Sequence, residues 1–281
     1  MAAETLAELR RTPHRSYSSI STFLNICSLQ WAFRYVYRRE PSHTPAALVF
    51  GSTFHSALEY TARKRMAGTE ASPGAAAALF GDVFGRLTSV AGPPVRYPEG
   101  QDAATLAATG RRMVGAYLET VPADERVTAV SQPFRVQLAD AEGLPLPLPL
   151  IGEFDCVVAS ETGPLIVDWK SAARRWPKGR EHTDLQPVCY LYADGRRDVR
   201  FRFDIVTKTK EPAVERRLTT RHADHFIRLA ERVKVMETMI RQEHFLPADG
   251  SWACRDCPYR EPCAEWHRRR SRSLHSFALT A

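Results

Sequence analysis

Apolar positions in the chain change their spacing twice, and the changes outline the architecture. Ile20, Phe23, Leu24 and Cys27 recur at helical intervals behind Ser18 and Ser19, which suit a helix cap, and the aromatic-rich stretch 31–37 follows. Residues 51–65 carry Phe54, Leu58 and Ala62 four apart, so the pattern predicts a helix on which His55 and Glu59 share a face. Helical spacing continues through 75–87 and 102–118. The period then drops towards two. Segments 126–138, 150–159, 164–170 and 200–208, rich in Val, Ile and Phe, read as strands. A short helix at 185–193 lies between the last two, and a long helix at about 221–241 leads into a cysteine cluster.

Helices, then a central sheet, then helices make a mixed α/β fold. We expect one domain over residues 1–265. It divides into a helical N-terminal part and insertion (16–125), an α/β core (126–210), and a C-terminal helix with the cysteine cluster (211–265), followed by a basic tail at 266–281. Ala-rich 71–78 and Pro/Gly-rich 91–100 read as connections around a variable helical segment.

Composition narrows the class. With 44% hydrophobic and 25% charged residues over 281 positions, the chain is ordinary globular protein. No apolar stretch approaches the ~20 residues a membrane span needs. The first fifteen residues lack the apolar core of a secretion signal, so the expectation is a cytoplasmic protein with reduced thiols and no membrane partner. Basic residues exceed acidic ones by 39 to 32, and only six of them are Lys. A GC-rich genome and a polyanionic partner both account for that bias.

The chemistry gathers on two strands. In Leu165-Ile-Val-Asp168-Trp169-Lys170, Asp168 and Lys170 stand two apart on one face, with Trp169 and Val167 on the other. In Ile151-Gly-Glu-Phe-Asp155-Cys-Val-Val158 the alternation puts Phe154, Cys156 and Val158 on one side and Glu153 and Asp155 on the other. If the turn 160–163 closes a hairpin, Asp155 and Asp168 meet with Lys170 beside them. Two carboxylates suit Mg²⁺ or Mn²⁺, and such an ion with a nearby cation suits phosphodiester hydrolysis. Asp168-Trp-Lys170 is the only acid-x-Lys in this Lys-poor chain. The plainer reading of the motif is a strand-end salt bridge. Asp184 suits the cap of a helix that sets Gln186 and Tyr190 one turn apart, with Pro187 in its first turn. His55 alone reads more readily as a surface or cap residue.

Cys254, Cys257 and Cys263 follow the spacing Cys-x₂-Cys-x₅-Cys, and Cys27 is the candidate fourth thiolate. Cys156 and Cys189 sit among apolar neighbours and read as core. Spacing leaves Zn²⁺ and an iron–sulfur cluster both open. The basic run 267–272 reads as a phosphate-tracking segment or a solvated tail. Trp31, Phe33, Tyr35 and Tyr37 read as a base-stacking surface or a core face.

Taken in order, His55, Asp155, Asp168-Trp169-Lys170 and Gln186-Pro-Val-Cys-Tyr190, with the opening Ser18-Ser-Ile-Ser-Thr-Phe-Leu-Asn-Ile-Cys27 and Trp31-Ala-Phe-Arg-Tyr35, resemble the RecB-like branch of the PD-(D/E)xK nuclease superfamily over about residues 16–265. The resemblance implies a restriction-endonuclease-like fold and a metal-dependent DNase acting on single-stranded DNA from a free end. His55, Asp155, Asp168 and the main-chain carbonyl of Trp169 would be metal ligands. Lys170 would activate water, and Gln186 and Tyr190 would contact DNA or brace the site. Pro187 departs from the family's helix pattern and loosens those last two roles. Relatives such as the CRISPR-associated adaptation nuclease, the AddB nuclease domain and exonuclease V carry one cysteine early and three late, binding a [4Fe–4S] cluster. By that likeness Cys27, Cys254, Cys257 and Cys263 would hold such a cluster as a structural staple, in preference to Zn²⁺. The same likeness suggests helicase or CRISPR adaptation proteins as partners. The rival of another class is a non-catalytic iron–sulfur DNA-binding module.

Overall fold

The computed structural model describes residues 4–90, 92–196 and 199–271. The chain opens with α1 (Leu6–Leu9), β1 (Arg15–Ser16), α2 (Tyr17–Ser21), a π-helical turn (Thr22–Ile26) and α3 (Ser28–Tyr35). β2 (Thr44–Pro45), α4 (Ala46–Met66), α5 (Pro73–Ser89), β3 (Val95–Arg96) and α6 (Ala103–Thr120) form the helical insertion. The core follows: β4 (Val127–Val136), β5 (Leu150–Ser160), β6 (Gly163–Ala172), α7 (Arg180–Thr183), α8 (Gln186–Asp194), β7 (Arg200–Thr207) and β8 (Val214–Thr219). α9 (Ala223–Arg241), a 3₁₀ turn (Trp252–Cys254) and α10 (Arg260–Ser271) complete it. Among the described residues no helix is long and apolar enough to cross a membrane.

Six strands make a mixed sheet in which β5 is the branch point. β4 runs antiparallel along one edge of β5, from Val127↔Val158 to Val136↔Leu150. The other edge is divided. The β5–β6 hairpin, turned at Gly163 with φ +109°, pairs from Ser160↔Gly163 only as far as Cys156↔Val167. Further down that edge β1 takes Leu150 and Ile151 in parallel. Residues 152–155 are left between the two partners, and β6 veers off beside β7, pairing in parallel from Leu165↔Arg200 to Ala172↔Thr207. β8 closes the sheet antiparallel to β7.

Helices cover both faces. One core joins Phe201, Phe203 and Ile205 to α3, α8 and α9 through Trp31, Val188, Leu229 and Met236. The other joins Val167, Trp169 and Val206 to α4, α5 and α6 through Phe50, Phe54, Phe80 and Met113. Each of these large side chains contributes roughly 1.5–3 kcal/mol by leaving water. α5 and α6 approach closely at Gly110, where a Cβ would stand 2.0 Å from the Phe80 ring.

Several local expectations change. α2 is capped by Ser16, whose Oγ accepts from Ser19 N at 3.3 Å. Ser19 is instead buried, with its hydroxyl accepting from Trp31 Nε1 at 2.9 Å. Phe154 does not share a face with Cys156 and Val158. It packs with Phe134 and Tyr190, while the other two join the opposite core. The strict alternation fails where β5 loses its second partner and β4 carries Ser131 at φ +49°. Of the aromatic run, Trp31 and Phe33 are core, whereas Tyr35 and Tyr37 are about 40% exposed. α10 extends through the basic segment to Ser271, and the rest of the expected tail, 272–281, lies outside the described residues.

Candidate active site

The gap in the β5–β6 ladder is where the motif residues meet. Beyond Cys156↔Val167 the next residues are Asp155 and Asp168, one on each diverging strand. Freed from the ladder, the Trp169 N–H donates to Asp155 Oδ2 at 3.0 Å. The same oxygen lies 3.2 Å from His55 Nδ1, delivered by α4. Gly152 lets the Phe134 ring press against this stretch of β5, since a Cβ there would meet the ring at 2.4 Å.

Asp168 is 1% exposed. Its Oδ1 accepts from Gln186 Nε2, and Gln186 Oε1 in turn accepts from Lys170 Nζ at 2.7 Å. Lys170 Nζ stands 2.6 Å from Asp168 Oδ2 but outside hydrogen-bonding direction, so that buried oxygen faces a charge without a proper donor. Gln186 is held by its own main chain: its N–H donates to Asp184 Oδ1 at 2.9 Å, an oxygen that also lies 3.4 Å from the Tyr17 hydroxyl. Pro187 sits in the first turn of α8 without disturbing this arrangement. Tyr190 lies one turn on, buried against Phe134, Phe154 and Phe201.

Burial pushes the Asp168 carboxyl up to about 6; Lys170 opposes the rise and the Asp155 charge adds to it. Burial acts upward on Asp155 as well, but His55, Lys170 and the Trp169 amide outweigh it and hold Asp155 below the usual range. For Lys170 the two carboxylates outweigh burial and raise the ammonium, so it is protonated at neutral pH. His55 is likewise raised by Asp155 against the effect of burial.

The donor set fits a divalent cation by its chemistry. It offers an imidazole and a carboxylate on each diverging strand, and of these oxygens Asp168 Oδ2 is buried without a directed donor; among the described residues the ligand atoms of His55, Asp155 and Asp168 do not all lie within 4.8 Å of one another. A tighter acidic group, Asp140, Glu142 and Glu231, belongs to a different part of the fold, the β4–β5 loop and α9. Lys234 already pairs with its one buried carboxylate, Asp140, at 2.8 Å, and the group lies apart from the motif residues.

Sequence reasoning missed what lies behind Trp169. Its indole Nε1 donates to Tyr117 Oη at 2.9 Å, and Tyr117 donates to Asp204 Oδ2 at 2.9 Å. Asp204, fully buried, takes two bonds from Arg202, which also reaches Glu125 at 2.6 Å. This chain anchors the residue between Asp168 and Lys170 to α6 of the insertion. The only sequence signal was a polar Arg-x-Asp inside an apolar strand.

Cys27, Cys254, Cys257 and Cys263 line one cavity of about 370 Å³, closed by Leu29, Phe33 and Pro247. All four are free thiols. Burial pushes Cys263 up to about 11, and Cys27, Cys257 and Cys254 add to the rise; Cys257 is raised by burial and by Cys27 and Cys254. Mutual repulsion of this kind is what a bound cation or cluster would relieve. Zn–S bonds of 2.3 Å in a tetrahedron set sulfurs about 3.8 Å apart. Among the described residues no three cysteine sulfurs come within 4.8 Å of one another. Cys156 and Cys189 lie apart from this cavity, each buried in a core.

A family model described as the PD-(D/E)XK nuclease superfamily matches residues 14–264. No curated protein matches this sequence. Among solved structures, a protein from Eubacterium rectale assigned as an exonuclease superposes with a TM-score of 0.53 at 13% identity, over 91% of this chain and 93% of that one. At that identity the likeness is one of fold. The structure of SSO0001 gives a TM-score of 0.35 at 10% identity, over 79% of this chain and 85% of that one, too distant to carry an argument.

Proposed function

Because the chain belongs to the PD-(D/E)XK nuclease superfamily, we propose that it is a RecB-like, metal-dependent deoxyribonuclease that degrades single-stranded DNA from a free end. The observation that supports this reading is the convergence of Asp155, Asp168, Lys170, His55 and Gln186 at the mouth of the β5–β6 hairpin. His55, Asp155, Asp168 and the Trp169 carbonyl are the residues that would hold Mg²⁺ or Mn²⁺. When bound, such an ion stabilises charge on the phosphoryl oxygens and acidifies water.

The chain's own residues do the rest. Hydrolysis makes one bond from water oxygen to phosphorus and breaks one from phosphorus to the leaving oxygen, which must gain a proton. Lys170, charged and aimed by Gln186 Oε1, is a donor that orients water or phosphate oxygen. Gln186 keeps Asp168 and Lys170 in register. Asp155 is fixed by the Trp169 amide and by His55. The four-cysteine cavity would hold a [4Fe–4S] cluster that joins α3 to the segment 254–263 and so closes a loop of more than 200 residues.

End-labelled single-stranded DNA, incubated in Mn²⁺ with anaerobically purified protein, tests the reading beside Lys170→Ala. Degradation by the wild type, with a rate about 10²–10⁴-fold lower in the variant, supports it. A folded, iron-replete wild type that leaves DNA intact overturns it in favour of a binding module.

A further inference from the structure

A second basic feature lies next to the reacting centre. α7, α8 and α9 enclose a cavity of about 410 Å³ lined by His182, Asp184, Arg221, His225, Arg228 and Arg232. Arg221 is 8% exposed and its guanidinium donates only to uncharged oxygens: the Thr219 hydroxyl and the main-chain carbonyls of Thr220, Glu181 and Asp184. Its Nε is buried without a partner. Arg232 bonds the Asn25 amide oxygen at 3.0 Å. Among the described residues neither arginine has an ion-pair partner, whereas Arg228 and His225 share Asp224. The one carboxylate lining the cavity, Asp184, spends Oδ1 on Gln186 N and Tyr17. Arg221 therefore feels the Asp184 charge without a direct ion pair, and Arg232 has no ion-pair partner among the described residues, around a space large enough for a phosphate group.

The cavity is also tied to the site. Asp184 accepts Arg221 through its carbonyl and Gln186 N through its side chain, and Gln186 bridges Asp168 and Lys170. We propose that this cavity is a subsite for a backbone phosphate of the nucleic-acid substrate, away from the bond being cut; the proposal rests on the nuclease reading above. Arg232 presents its guanidinium to the phosphate, and Arg221 supplies buried charge beside it. The subsite holds the strand in register while the scissile phosphate occupies the gap between β5 and β6.

The test measures binding of a fluorescent single-stranded oligonucleotide by anisotropy across a salt series, in EDTA so that no strand is cut. Wild type is compared with Arg232→Ala and with Arg86→Ala on α5, across the sheet. The expected result is Kd raised about five- to tenfold at low salt in Arg232→Ala alone. Its log Kd against log salt should be shallower by about 0.7, the share of one phosphate on a single strand. Replacing one phosphate at a time by methylphosphonate should find a single position that weakens wild type and leaves Arg232→Ala unchanged. Equal behaviour of the three proteins, or equal losses in both variants, overturns the subsite while the nuclease reading stands. If wild type fails to bind DNA, calorimetric titration with inorganic phosphate decides. Heat lost in Arg232→Ala then assigns the cavity to free phosphate and overturns its nucleic-acid role, and no heat removes the anion site altogether.

Discussion

The main-chain N–H of Trp169 reaches the side chain of Asp155 at 3.0 Å, across the point where their strands stop pairing. A bond that would have extended a ladder instead aims a carboxylate. The departure of β6 from β5 therefore both opens the site and fixes one of its acids.

Asp155→Asn keeps an oxygen for that amide, so the fold should persist, with stability within about 1.5 kcal/mol of wild type by thermal unfolding. It removes the charge that a cation needs. Mn²⁺ affinity, read by calorimetry, should fall by about tenfold or more, and DNA cleavage should fall with it.

Proton competition at Asp168 gives a pH dependence. Its carboxyl is pushed up to about 6 by burial, with Lys170 opposing. Below that value the group is protonated and cannot ligate, so Mn²⁺ affinity should drop about five- to sixfold as pH falls from 6 to 5. Affinity should be nearly flat as far as this group is concerned above pH 7. Calorimetric titrations at half-unit steps check the midpoint.

Lys208 sits over the Phe50 ring at 4.2 Å, and burial alone lowers it from 10.5 to about 8. Between these values the unfolded chain holds a proton that the folded protein has shed. The cost of burying the charge is therefore full below pH 8 and vanishes as pH rises to 10.5. Lys208→Met should stabilise the protein by on the order of 2 kcal/mol at pH 7 and by almost nothing at pH 10.5. Denaturant midpoints at the two pH values make the comparison.

The cysteine cavity predicts a sharp contrast between thiols. Cys254→Ala should lose iron and solubility together, because its sulfur lines the shared cavity. Cys189→Ala, which touches only core, should retain full iron content. Iron analysis and visible absorbance after anaerobic purification distinguish them, and a soluble, fully active Cys254→Ala would refute the staple.

Most of this arrangement could be read from spacing, and the remainder has identifiable causes. Asp168 and Lys170 were legible because a two-residue period on an apolar strand determines a shared face. Asp155 was legible as an acid in a strand, but the face of Phe154 was not. Alternation holds only while a strand keeps its ladder, and here the ladder divides. The π-helical turn at Thr22–Ile26 and β8, with its exposed arginine side, carry no period that separates them from helix or loop. The Tyr117–Asp204 link and the Arg221 cavity join residues far apart in sequence. Such clusters emerge only from tertiary packing.

Arg15 forms a forked pair with Glu237 at 2.5 and 2.9 Å, and Ser28 exchanges hydrogen bonds with Leu246. These contacts bridge 222 and 218 positions of sequence. At about 5–20 residues per second, a ribosome spends roughly 10–45 s between making Arg15 and making its partner. During that interval β1 has no anchor on α9. The nascent chain can therefore carry every residue of the proposed site, from His55 to Tyr190, while the clasp between its two ends has yet to form.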